Sequence, residues 1–188
     1  STPAVFLESL ATHDEVNWSA VHLFQVDERV APAGSRDRND TMIRERFVDH
    51  HPLVQYHPMP VEADDERTAL ADHLTGLEHL AGTPARLDLI QLGLGDDGHT
   101  ASLVPDDPVL EATTDVAVTA GYKGTRRWTM TAPLINRARE RLFLVTGTEK
   151  DEALQRLAAG DRGIPGSLIT DDQTFLVTDR QIPGFSPT

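Results

Sequence analysis

The amino-acid sequence predicts an α/β domain of three layers, built on a mostly parallel sheet with a small antiparallel excursion. Three observations lead there. Strand-like and helix-like segments alternate along most of the chain, which is the pattern of a layered α/β domain. The run LDLIQLGLG at residues 87–95 is nearly continuous in apolar residues, as strands buried on both faces are. Finally, VAVTA at 116–120 and RRWTMT at 126–131 are separated by too little chain for a helical crossover, so that pair is expected to run antiparallel.

Each element has its own justification. Thr2 can cap a helix that Pro3 starts and AVFLESL continues. Residues 21–28, VHLFQVDE, have a strand pattern, and APAGSRDRN is the loop after it. A helix is expected from Asn39, with Asn39 as its cap, until Pro52 stops it. LVQYHP is a short strand. Residues 62–80 place Leu70, Leu74, Leu77 and Leu80 at helical spacing. After the strand at 87–95 and the antiparallel pair, RLFLVTG is a strand, TEKDEALQRLAA a helix ended by Gly160, and TFLVTD a last strand. With 188 residues the chain is expected to form one domain over residues 1–180, followed by a loosely held tail at 181–188.

Composition narrows the function classes. The net charge of −13 disfavours a nucleic-acid or anionic-membrane surface, where basic residues must neutralise phosphates. An anionic small substrate requires instead that a few cations gather locally. The sequence has no cysteine, which removes disulfides, thiolate metal sites and a cysteine nucleophile, and fits a reducing cytoplasm. No apolar run is long enough to span a membrane. His50 and His51 sit before a proline, and His73 and His79 are six apart, so neither pair has the spacing of a helical metal site. Ser102 lacks the G-x-S-x-G elbow of a serine hydrolase.

The most informative stretch is GLGDDGHTASLVP at 93–105. Gly93, Gly95 and Gly98 formally match the G-x-G-x-x-G of a dinucleotide turn, but that motif needs a long helix directly after the glycines. Pro105 cuts any such helix to about one turn, and Asp96 and Asp97 would repel a pyrophosphate. In the other reading the glycines turn the backbone at the carboxyl end of a buried strand, where open α/β sheets bind ligands. Asp97 and His99 then stand on a short loop, and histidine suits a general base acting on water near neutral pH. Arg29, after another strand, can hold a carbonyl, hydroxyl or phosphate oxygen through its planar fork. Ser1 and Thr2 at a helix start can bind an anion. Lys150 lies where a lysine is unfavourable for a helix dipole, which favours a phosphate partner. Arg126 and Arg127 read as cover for a sheet edge.

STP at the front, DERVAP with RDRN, DGHTASLVP, RRWTMTAPLIN and LVTGTEK together resemble the 6-phosphogluconolactonases of the glucosamine-6-phosphate isomerase/6-phosphogluconolactonase superfamily, across nearly the whole chain. The resemblance implies a three-layer Rossmann-like domain lacking the amino-terminal strand and helix that precede STP in that family. It also implies hydrolysis of 6-phospho-D-glucono-1,5-lactone to 6-phosphogluconate in the oxidative pentose phosphate pathway, in the cytoplasm, without cofactor or metal. The partner implied is a phosphorylated sugar lactone, with no nucleic acid or membrane, and the acting form a monomer or homodimer. By the same resemblance His99 is the general base, and Asp97 orients it or holds a sugar hydroxyl. Arg29 binds lactone oxygens, while Ser1, Thr2, Asn39, Gly95, Gly98 and Lys150 line the substrate, Lys150 on the phosphate. The sister deaminase has a loop like DGHIAFNEP, whose glutamate supports the histidine; here Ser102-Leu103-Val104-Pro105 stands instead. A sugar-phosphate sensor of related fold is the remaining alternative, disfavoured by the presence of both His99 and Asp97.

Overall fold

The sheet strands fall into three groups, and the way one strand leaves its group is what builds the site. The structure, a computed structural model, describes residues 2–182; Ser1 and residues 183–188 lie outside the described residues. In chain order, α1 (Thr2–Leu10) leads to β1 (His22–Phe24) and β2 (Asp27–Arg29), then α2 (Asn39–Arg46), β3 (Gln55–His57) and α3 (Glu66–Ala81). There follow β4 (Leu89–Leu92), β5 (Val116–Val118), β6 (Arg127–Met130), α4 (Ala132–Arg137), β7 (Glu140–Val145), α5 (Asp151–Ala158) and β8 (Thr174–Thr178). β1 pairs with β3, and β4, β7 and β8 pair in that order, all in parallel. The antiparallel group runs β2-β6-β5, with β6 in the middle. This is the expected α/β architecture with its antiparallel excursion.

The strand expected at 21–28 is in fact two. Gln25, 1% exposed, explains the break: its amide donates to Glu28 (2.8 Å) and accepts from the Met59 N–H (2.6 Å). A buried side-chain amide with both ends satisfied holds the bend. It lets β1 stay in the parallel pair while β2 crosses to β6. Glu28 is then fully buried, and its carboxylate accepts from the N–H groups of Asn39 and Asp40, 2.8 Å each, and faces Arg38 at 3.1 Å. A carboxylate there satisfies the free N–H groups and the dipole of α2. This corrects the expected cap: Asn39 is the first helical residue, Arg38 stands at the cap position without a side-chain capping bond, and a glutamate from β2 does the capping.

Other boundaries moved for identifiable reasons. α2 ends at Arg46 rather than running to Pro52, because Phe47 leaves helical geometry and its ring, 1% exposed, packs in a small core with Leu7 and Val54. α3 begins at Glu66, where Asp65 accepts from the Thr68 N–H. α4 was not anticipated: six residues are too few to display a period, although Pro133 in its first turn and fully buried Leu134 and Ile135 mark it. The main core gathers Leu92, Leu103, Trp128, Leu134 and Ile135, each at most 1% exposed, and each such side chain contributes about 1.5–3 kcal/mol by burial. Of the expected tail, Gln181 and Ile182 are described, and Ile182 packs into that core. Among the described residues no helix is long and apolar enough to cross a membrane.

Candidate active site

β4 ends at Leu92, and the chain then folds into a tight loop instead of a helix. The Gly95 N–H donates to the His99 carbonyl (2.8 Å) and the Gly98 N–H to the Gly95 carbonyl (3.0 Å). Gly98 has φ +79°, which favours glycine. Ala101 also has positive φ, and Thr100 bridges back to Leu103, so no helix opens after the glycines. The next helical turn is a short 3-10 segment at Pro108–Glu111. The dinucleotide reading thereby loses the helix N-terminus that would meet a pyrophosphate.

Gly95 makes room for the chemistry. A Cβ there would stand 2.0 Å from His99 Nδ1 and 2.6 Å from an Asp97 oxygen. Those two groups are themselves 2.6 Å apart, so the imidazole donates its Nδ1 proton to the carboxylate. Asp97 also accepts from the His99 N–H (3.1 Å) and, on its other oxygen, from the Tyr122 hydroxyl (2.7 Å). Burial raises the Asp97 pKa, but the bonds from Tyr122 and His99 outweigh it and hold the carboxyl at about 2. The charged carboxylate fixes the tautomer and leaves Nε2 as the nitrogen able to take up a proton.

His99 lines a cavity of about 740 Å³ that runs along β1 and β4 to their carboxyl ends and to that of β7. Thr2, Arg29, Asn39, Gly95 and Lys150 line it too, so most of the residues singled out from the sequence converge. Asp97 stands behind His99, and Gly98 is not on the wall: it packs against Ile164 and its carbonyl accepts from the Gly166 N–H (2.8 Å). Asn39 faces inward with its amide on the Asp27 carbonyl (2.9 Å) and carboxylate (3.1 Å). The Thr2 hydroxyl pairs with that of Thr146 at 2.6 Å, which ties the start of α1 to the end of β7. Ser1 lies outside the described residues. Among the described residues, no group of three or more His, Asp or Glu side chains is placed to hold a metal ion.

Other residues at the site were not singled out as functional in the sequence. Asp27 is partly buried, accepts from the Ser102 hydroxyl (2.6 Å), and has its pKa raised by desolvation, against the lowering effects of Ser102, Arg29 and Arg127. Tyr122 and Lys123 sit on the turn between β5 and β6, and the Lys123 ammonium and the Arg127 guanidinium each lie 5.0 Å from the Tyr122 ring centre. The signal was present in GYKGTRR, a glycine-bracketed aromatic among cations, but an arginine pair beside a strand reads equally well as surface. Only Arg126 fits that reading, paired at the surface with Glu66 (2.8 Å). Arg127 belongs to the middle strand, is 9% exposed, and lines the cavity. Arg29, Lys123, Arg127 and Lys150 thus face one space in a protein of net charge −13.

Comparison with known proteins finds similar chains. The family described as "Glucosamine-6-phosphate isomerases/6-phosphogluconolactonase" matches residues 1–177. The 6-phosphogluconolactonase of Synechocystis sp. is 41% identical over 166 residues, which are 85% of this chain and 68% of that protein. That of Nostoc sp. is 34% identical over 90% of this chain and 74% of its own length. Among solved structures, the 6-phosphogluconolactonase of Thermotoga maritima superimposes with a TM-score of 0.81 at 25% identity, covering 95% of this chain and 80% of that one.

Proposed function

The chain belongs to the family of glucosamine-6-phosphate isomerases and 6-phosphogluconolactonases, and from that membership we propose that it hydrolyses 6-phospho-D-glucono-1,5-lactone to 6-phosphogluconate. The observation that carries the reading is the 2.6 Å bond between His99 and Asp97 on the wall of a cation-rich cavity. Asp97 is the only carboxylate among the described residues that His99 hydrogen-bonds, and Ser102 in the following segment is bound to Asp27. That leaves a histidine–carboxylate pair suited to activating water.

In the proposed reaction His99 Nε2 takes a proton from water as the water oxygen attacks the lactone carbonyl carbon. The carbonyl oxygen gains negative charge, which Arg29 offsets. The carbon–ring-oxygen bond then breaks, the ring oxygen receives the proton from His99, and the new carboxylic acid ionises into solvent. Water is the only co-substrate, so the step balances without a cofactor. Asp97 orients the imidazole. Lys150 and Thr2 hold the phosphate, joined by Ser1 in the reading from resemblance; Asn39 and Gly95 shape the wall around the ring. The step so proposed is the second of the oxidative pentose phosphate pathway, carried out in the cytoplasm by a monomer or homodimer.

The test is turnover of freshly made lactone, corrected for its spontaneous opening. Wild-type protein accelerates opening well above background, and His99→Ala lowers kcat by at least ~100-fold with folding unchanged. Near-normal kcat in that variant would make His99 structural and the mechanism wrong.

A further inference from the structure

Across the β2–β6 ladder Arg29 stands directly opposite Arg127. Directly opposed residues of an antiparallel pair project to the same face, and both side chains line the cavity that His99 lines. Two like charges held side by side repel each other, and here both are partly desolvated. The Nε of each is buried with no hydrogen-bond partner, although a guanidinium is an obligate donor. Burial, and next the charge of Arg29, pull the Arg127 pKa below the ordinary guanidinium value. The groups facing Arg127 do not resolve the conflict. Asp27 on β2 is itself pushed towards its neutral form by burial. Tyr122 offers only its ring face. Arg29 spends one nitrogen on the Asp37 carbonyl (2.8 Å), which leaves its Nε free. Such a pair is complete only with an anion between its members.

Which part of the substrate that anion is follows from position. Arg127 lies over the ring of Tyr122, whose hydroxyl holds Asp97, which holds His99. The His99 and Tyr122 rings are 5.3 Å apart. The arginine pair is therefore beside the proton-transfer machinery, whereas Lys150 and the Thr2–Thr146 contact belong to the segment after β7 and the start of α1. We propose that Arg127 and Arg29 form one clamp for the lactone carbonyl oxygen, which becomes the developing oxyanion and finally the product carboxylate. Arg127 is in this account a catalytic residue, touching the reacting atoms. The inference rests on the lactonase reading above.

Three measurements test it. Replacing Arg127 by Met lowers kcat about 100-fold on both the phosphorylated lactone and unphosphorylated gluconolactone, as loss of an oxyanion donor does. The ratio of KM values for the two substrates stays as in the wild type. Arg127→Lys, which keeps the charge in a buried strand, binds 6-phosphogluconate at least ~10-fold more weakly while glucose 6-phosphate, which lacks a carboxylate, changes less than ~2-fold. In the wild-type protein, NMR signals of the Arg29 and Arg127 Nε–H groups shift on adding 6-phosphogluconate and stay in place on adding glucose 6-phosphate, whatever the variants do to folding. A KM effect confined to the phosphorylated lactone, equal weakening of both sugar phosphates, or Nε–H shifts with glucose 6-phosphate would overturn the clamp and place the phosphate there. Failure of the wild type to open the lactone would instead remove the lactonase reading, and the NMR titration would still report whether a carboxylate sits between the guanidiniums.

Discussion

Lys150 shows what a single residue can reveal about substrate. It follows β7 in a 3-10 turn before α5, at a helix start where its charge opposes the dipole, and it lines the cavity with Thr2. A contact to a distant, non-reacting phosphate serves ground and transition states alike, so its loss appears in KM rather than kcat. Lys150→Ala is expected to raise KM for the phosphorylated lactone by roughly 10-fold, ~1.4 kcal/mol of binding, and to leave the slow turnover of unphosphorylated gluconolactone unchanged. Equal losses on both substrates would place the phosphate elsewhere. Lys150 and His99 were legible in the sequence because each stands in a short motif at a strand end. Arg127 was not, since nothing in RRWTMT says which arginine lies inside; that is decided by β6 becoming the middle strand, with all four of its residues buried.

At the scale of elements, the loop after β4 is the unit on which the chemistry depends, and two of its glycines, Gly95 and Gly98, have different tasks. Gly95 is bare because His99 and Asp97 occupy the space of a side chain. Gly98 combines a left-handed φ of +79° with a Cβ position 2.5 Å from the Ile164 Cβ. Gly95→Ala should therefore displace the imidazole and lower kcat by at least ~10-fold, as misplacement of a catalytic group does, with a smaller effect on stability. Gly98→Ala should instead cost about 1–3 kcal/mol of stability through crowding and backbone strain. Urea unfolding and lactone kinetics on both variants check the division, and a Gly95→Ala protein with normal kcat would contradict it. The sequence displayed this loop well: an apolar strand, close-set glycines, and a proline that forbids the long helix. The split of residues 21–28 into β1 and β2 was hidden, because VHLFQVDE carries no proline or glycine to mark a break and only the partners of the Gln25 amide betray the bend. The capping of α2 was hidden for the same reason. Asn39 has the composition of a cap, but Glu28, eleven residues earlier in sequence, reaches the helix start through the fold.

For the whole molecule, the decisive feature is an acidic protein that collects cations at one set of strand ends. With 17 basic against 30 acidic residues, the average surface repels a sugar phosphate. Arg29, Lys123, Arg127 and Lys150 reverse that locally, and low-dielectric walls focus the resulting field. Topology makes the collection possible: parallel strands deliver the His99 loop and the Lys150 segment to one end, and the antiparallel excursion supplies the two arginines facing them. Fold class was readable from alternation, and the meeting of Arg29, His99 and Lys150 from their places after strands, whereas the part of Lys123 and Arg127 was not. The central claim is that this assembly opens a phosphorylated lactone by water attack. Its most direct test measures, on the same purified protein, opening of fresh 6-phosphogluconolactone and release of ammonia from glucosamine 6-phosphate. Rapid lactone opening well above the spontaneous rate, with no ammonia released, is the predicted result. Ammonia released at a comparable rate, or lactone opening no faster than in buffer, would contradict it.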